Sequence, residues 1–223
     1  MITVTAAAPT YDLTTVEVVK RSLNLTGVED DQFLTELISR ASAALARITQ
    51  RIWAREELTE TIAGSGWVEL VLSRVPIVTL AEVRRDDSVV SDVVVSDRDA
   101  GLLFHQSGFG RDDIATRFIK PWPTGAAALD WEVDYVAGYW LPSFPTNLGT
   151  ELAPKLFSAD DVRLPGDVEQ ACIDTVRTWY AARTRDLSKT SERLGDWSAT
   201  YGESQVPDPV RKDLELNWRR MLL

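Results

Sequence analysis

Reactive side chains are scarce in this chain: its 223 residues include one histidine, His105, and one cysteine, Cys172. A lone cysteine excludes an internal disulfide framework. Cys172 falls among apolar residues at helical spacing, which reads as a core thiol, because a reactive thiolate needs exposure and cationic neighbours. His105 sits beside a glycine-rich turn with no second histidine or partnered cysteine, so no triad or metal quartet is spelled out. It reads as a surface or half-buried turn histidine. No GxxxxGKS, GxxxxGKT or GxGxxG sequence occurs, which removes the usual phosphate-cradling loops. No run of about 18 apolar residues offers a membrane span, and MITVTAAAPTYDL lacks the basic start and apolar centre of a signal peptide. The expectation is a soluble chain, made in the cytoplasm, with no cofactor and no membrane partner.

Positive charge is also short. Lysine and arginine number 24 against 34 acids, a net charge of −10. From Asp86 to Asp134 ten acids face four bases, a net of −6, so the middle of the chain carries most of the acidity. Gripping nucleic acid requires clustered lysine and arginine. This balance points instead to a surface that repels phosphates or simply stays in solution.

Helical periodicity is the main positive signal. Between Leu164 and Asp186, Val168, Ala171, Cys172, Thr175, Val176, Trp179 and Tyr180 recur at helical spacing, with Pro165 and Gly166 as a break and Asp167 as a first-turn acceptor. A second long helix is predicted over Asp31 to Arg51, where Leu34, Leu37, Ile38, Ala41, Ala44, Leu45 and Ile48 keep the same period. Its stripe is the natural partner for the first. Thr14 and Glu17 have capping-box spacing, which predicts a short helix from Thr15 to Leu23. After Pro207 and Pro209, a last helix from Val210 to Leu222 carries Val210, Leu214, Trp218 and Met221 on one side.

Between the helices the period changes to that of strands. Glu57 to Ile62 and Trp67 to Leu72, divided by Ala63-Gly64-Ser65-Gly66, predict a hairpin. Further strands are expected at Val78 to Arg84, Val89 to Val95, Gly101 to Phe104, Thr116 to Ile119 and Ala128 to Val136, joined mostly as local hairpins. The fold class is therefore α+β: a helical bundle of two long helices plus shorter N- and C-terminal helices, with an inserted small antiparallel β subdomain. The expected divisions are residues 1–55 for the N-terminal helical part, 56–140 for the β subdomain, 141–163 for an extended Pro-rich loop, and 164–223 for the C-terminal helical part and tail.

One constellation resembles a catalytic centre. Asp130, Glu132 and Asp134 alternate with Trp131, Val133 and Tyr135, and so project from one face of a strand. Carboxylates so placed can hold a divalent cation or serve a glycosidase, and eight tryptophans suit sugar stacking. The plainer reading is a solvated sheet face with the aromatics turned inward. Asp97 to Gly101 shares the opening of a calcium loop but lacks its third oxygen ligand and distal glutamate, and reads as a turn.

Taken in order, several stretches resemble the head-to-tail connector, or adaptor, family of tailed bacteriophages and gene transfer particles. They are YDLTTVEVVKRSLNL with DDQFLTELISRASAALARITQR, the W-x-E-L-x-L-x-x-x-P-I-V-x-L-x-E-V run from Trp67 to Val83, DYVAGY, LPGDVEQAC and SERLGDWSATYG. The resemblance implies a non-enzymatic virion protein of the neck, a cyclic homo-oligomer of twelve copies beneath the portal protein. Such a ring extends the DNA channel, is a platform for the stopper or tail-completion protein, and passes DNA without specific binding. On that reading Leu37, Ala41, Leu45, Val168, Cys172 and Trp179 are candidates for packing between subunits. Val210, Arg211, Leu214, Trp218, Arg219 and Met221 are candidates for portal docking, and Asp130, Glu132 and Asp134 for an acidic channel or solvent face. The alternative is a carboxylate-based glycosidase or metal-dependent hydrolase centred on those three acids.

Overall fold

The computed structural model describes residues 1–85, 88–110, 130–145, 162–183, 191–194, 197–200 and 206–219, with backbone alone at 130, 191–194 and 197–200. It is a mixed α+β chain with helices and antiparallel sheets. Two compact units emerge: residues 1–9, 54–140 and 145–162 form one, and residues 10–53, 141–144 and 163–223 the other.

The first unit is built of strands. β1 (Ile2–Ala6), β2 (Glu56–Ala63), β3 (Glu69–Val71), β4 (Ile77–Arg85), β5 (Ser88–Val89), β6 (Val93–Asp97), β7 (Leu102–His105) and β8 (Asp130–Ala137) divide between two sheets. One has the order β1-β2-β8-β4-β5 and the other β3-β7-β6. Strand alternation makes the core: Trp131, Val133 and Tyr135 of β8 turn inward and meet Leu58, Leu70, Leu72, Ile77, Val83, Leu103 and Phe109. Trp131 packs edge-on against Phe109 at 4.9 Å between ring centres and donates from Nε1 to the Gly110 carbonyl at 3.2 Å. Glu60 brings a carboxylate into this core. The Glu60 carboxylate accepts from Tyr135 Oη at 2.7 Å and from the Ser73 amide at 2.9 Å, which satisfies it away from water. Burial and that carboxylate together push the Tyr135 hydroxyl well above its ordinary range.

Two expectations fail in this unit. Residues 2–6 are a strand rather than the start of a helical part, and β1 pairs with β2 more than fifty residues away. The β2–β3 hairpin does not form either, because the Gly64–Gly66 turn carries the chain from one sheet to the other. Gly64 lies so close to the Gly110 carbonyl that a Cβ would approach it to 2.2 Å. The Gly66 amide donates to Phe109 O and the Phe109 amide to Trp67 O, so the turn is pinned to the 109–110 segment. The expected strand at 116–119 lies outside the described residues, as do residues 146–161 of the Pro-rich segment.

The second unit holds α1 (Val16–Leu23), α2 (Asp31–Thr49), α3 (Gly166–Ala182) and α4 (Asp208–Asn217), with β9 (Ser191–Leu194) pairing β10 (Trp197–Thr200). α1 is capped by Thr15, whose hydroxyl accepts from the Val18 amide, so the cap lies one residue past the Thr14-x-x-Glu17 signal. Thr14 instead donates to Glu169 Oε1 at 3.0 Å, tying α1 to α3. The paired stripes of α2 and α3 meet: Ser42 Oγ and Cys172 Sγ are 3.6 Å apart in the buried seam. Asp167 accepts from the Val168 amide at 3.0 Å, as an acid in the first turn should.

Candidate functional site

Of the three alternating acids, Glu132 and Asp134 emerge on the outer face of the five-stranded sheet. Register sets Asp134 between Thr59 of β2 and Glu82 of β4, and Glu132 between Thr61 and Arg84. Arg84 is the organising residue. Its guanidinium donates to Glu132 and to Asp134, and through Nε to Glu82 Oε1 at 3.1 Å. Thr59 Oγ1 donates to Asp134 Oδ1 at 2.6 Å. The bond to Glu82, followed by the neighbouring charges, raises the Arg84 pKa further, so a fixed cation occupies the place between the carboxylates. Three carboxylates against one guanidinium leave this cluster two charges negative. Among the described residues no group of three or more histidine, cysteine or acidic side chains is arranged to hold a metal ion. The side chain of Asp130 lies outside the described residues.

His105 differs from its expected surface or half-buried setting. It ends β7 and is 7 % exposed, with Nδ1 2.8 Å from the Gly108 carbonyl and Nε2 3.0 Å from Asp92. Its ring packs against Phe109 and Trp131. It closes the end of the core, and among the described residues it contacts no nucleophile.

The helical candidates need correction. Leu37, Ala41, Leu45, Val168 and Cys172 are buried within their own chain, at 0–3 % exposure, so they have no surface to give a neighbour. The stripe is as wide as the fold itself requires. Burial pushes the Cys172 thiol up to about 12, which keeps it neutral and unreactive. Trp179 is half-buried, with the Arg40 guanidinium 5.4 Å from its ring centre. At the end of α3, Tyr180 donates to Asp30 and Arg183 donates to it at 3.2 Å. The Tyr180 bond, then Arg183, holds the Asp30 carboxyl below its usual range.

The portal candidates divide. Leu214 is 1 % exposed and serves the second unit's own core. Trp218 stacks edge-on with Trp53 at 5.5 Å, and its Nε1 donates to Asp167 Oδ2 at 2.7 Å. Val210 is half-buried, while Arg211 pairs with Glu215 at 2.9 Å and Arg219 is exposed. Met221 lies outside the described residues. Sequence reading missed Leu216, which stands 83 % exposed on the opposite side of α4. An apolar residue out of step with the stripe was the available signal.

No family model and no curated protein matches this chain. Solved structures do. A chain from the neck of an empty gene transfer agent particle, computed with C6 symmetry, superposes with a TM-score of 0.56 at 17 % identity, over 100 % of this chain and 97 % of that one. This chain shares the fold of a gene transfer agent neck component. The native gene transfer agent virion supplies a second match, with a TM-score of 0.55 and 18 % identity over the same shares of each chain. The neck of the native particle computed with C12 symmetry gives a third, at 0.50 and 17 %, covering 83 % of this chain and 86 % of that one. The neck fold agrees with the resemblance to head-to-tail connectors read from the sequence. It spans both units, so neither is an addition foreign to that architecture.

Proposed function

We propose that this chain is a structural protein of a particle neck, a head-to-tail connector. Twelve copies form a ring beneath the portal, extend the DNA channel, and give the stopper or tail its platform. The observation that carries this reading is the end-to-end likeness to a neck chain, with 100 % of one sequence and 97 % of the other matched. Chemistry supports it too. The one cluster that resembles a hydrolase centre holds Arg84 where a metal or a scissile bond would have to sit. On this reading the surplus negative charge of that cluster suits a wall along which DNA slides, since phosphates find no favourable site there.

The burial of Leu214 and the packing of half-buried Trp218 against Trp53 move the candidate portal contact to the exposed flank of α4 and the residues after it, where Arg211, Lys212, Leu216 and Arg219 lie. The experiment is deletion of the gene from a particle-producing strain. The expected product is DNA-filled heads without tails, restored by the chain supplied in trans. Normal tailed particles in the absence of the chain would overturn the proposal. Glu132→Gln with Asp134→Asn should leave tail joining intact, whereas a hydrolase would show a turnover that this pair abolishes.

A further inference from the structure

Among the described strands, β1 is an open edge of the five-stranded sheet. Met1 N donates to Thr61 O at 2.6 Å and Thr61 N to Met1 O at 2.8 Å, so these two residues form a hydrogen-bonded pair. Such pairs alternate along an antiparallel ladder. Thr3, opposite Thr59, is therefore the next residue turned toward β2, and the N–H and C=O groups of Ile2 and Val4 point away from the sheet. Among the described residues no strand lies on that side of β1.

The side chains agree. Ile2 stands opposite Glu60 and Val4 opposite Leu58, both buried, so Ile2 and Val4 lie on the core-facing side of the sheet. Yet they are 37 % and 42 % exposed. The apolar layer runs out before the sheet does. Exposed edges are usually guarded by lysine or proline; here Ile2 to Tyr11 carries no charge, the first proline is Pro9, and a single irregularity between Val4 and Ala6 limits the edge.

We propose that β1 pairs, through the outward backbone groups of Ile2 and Val4, with an extended segment of a second copy of this chain. The inference rests on the ring reading and names the surface that makes it. With a net charge of −10, copies repel one another over most of their surface. Contact is least opposed where no acid has to be buried, and main-chain pairing along an uncharged strand meets that condition. The matching neck structures were computed with sixfold and twelvefold symmetry. A ring of either order repeats one contact between two unlike surfaces, and a strand edge adding to a neighbour's segment is such a contact.

The test is a benzophenone side chain introduced at Thr3, irradiated in cells that make the particles. The expected result is an adduct of two copies of this chain, reduced at least tenfold by Val4→Pro. That substitution removes an outward N–H and leaves the β1–β2 ladder whole. An adduct to a different protein, or none between copies, overturns the proposal whether or not the proline variant folds. Purified particles are probed for the chain separately. Its absence from them refutes the neck reading alone, while its presence without a copy-to-copy adduct refutes the β1 contact alone.

Discussion

Leu214→Ala separates a helix that belongs to the fold from one that exists to be handed to a partner. Leu214 is 1 % exposed on a ten-residue helix. Truncating a buried leucine to alanine costs about 2–5 kcal/mol, and a short helix able to settle into the gap puts this case near 2.5. In a chain of this length each kcal/mol moves the melting temperature by about 2–4 °C, so a fall of about 5–10 °C is expected. Circular dichroism at 222 nm reads it, with Leu216→Ala, on the same helix but 83 % exposed, as the control that should hardly move. If α4 were a free anchor, both variants would melt within about 1–2 °C of the parent, because exposed substitutions stay within about 0.5 kcal/mol. A fall at Leu216 and none at Leu214 would refute the packing described for this helix.

Leu216→Asp should keep the parent's melting temperature and weaken retention of the chain on purified portal rings, measured by co-sedimentation. Gly138→Ala should cost at least about 1–3 kcal/mol, since φ is +105° and a Cβ would stand 2.4 Å from the Ala54 carbonyl; urea unfolding measures it. The Cys172 thiol, raised from 9.0 to about 12, binds its proton more tightly folded than unfolded. Its contribution is therefore complete below pH 9 and lost as pH rises toward 12. Cys172→Ser should flatten that alkaline decline, and the native thiol should resist iodoacetamide at pH 8 until denaturant is added. For Asp30 the sign is opposite: its lowered pKa gives stability that is present at neutral pH and lost on acidification. Asp30→Asn should lessen the acid sensitivity of the melting temperature.

How much was readable depends on how far apart the partners lie. α2 and α3 were plain because nineteen and seventeen residues hold one period, and a stripe that long rarely arises outside a helix. The inward turn of Trp131, Val133 and Tyr135 followed from alternation alone. β1 was missed because five residues are too few to show a period, and its partner lies more than fifty positions away. The Ala63–Gly66 signal correctly marked a turn, but a turn does not say which sheet the next strand joins. Arg84 shows the same limit at the site. Three carboxylates on one strand are visible in sequence, whereas the guanidinium that pairs with two of them, Glu132 and Asp134, arrives from β4 through cross-strand pairing. The helical stripes were read correctly as apolar, but Leu37, Ala41, Leu45, Val168 and Cys172 were assigned to packing between subunits, and only the fold shows that the subunit buries them itself.

The most direct measurement is an electron-microscopy reconstruction of purified particles whose copies of this chain carry a small fused marker. The account predicts marker density in a twelvefold ring at the junction of head and tail, beneath the portal. Marker density anywhere else on the particle, or none in particles that are fully assembled, would contradict it.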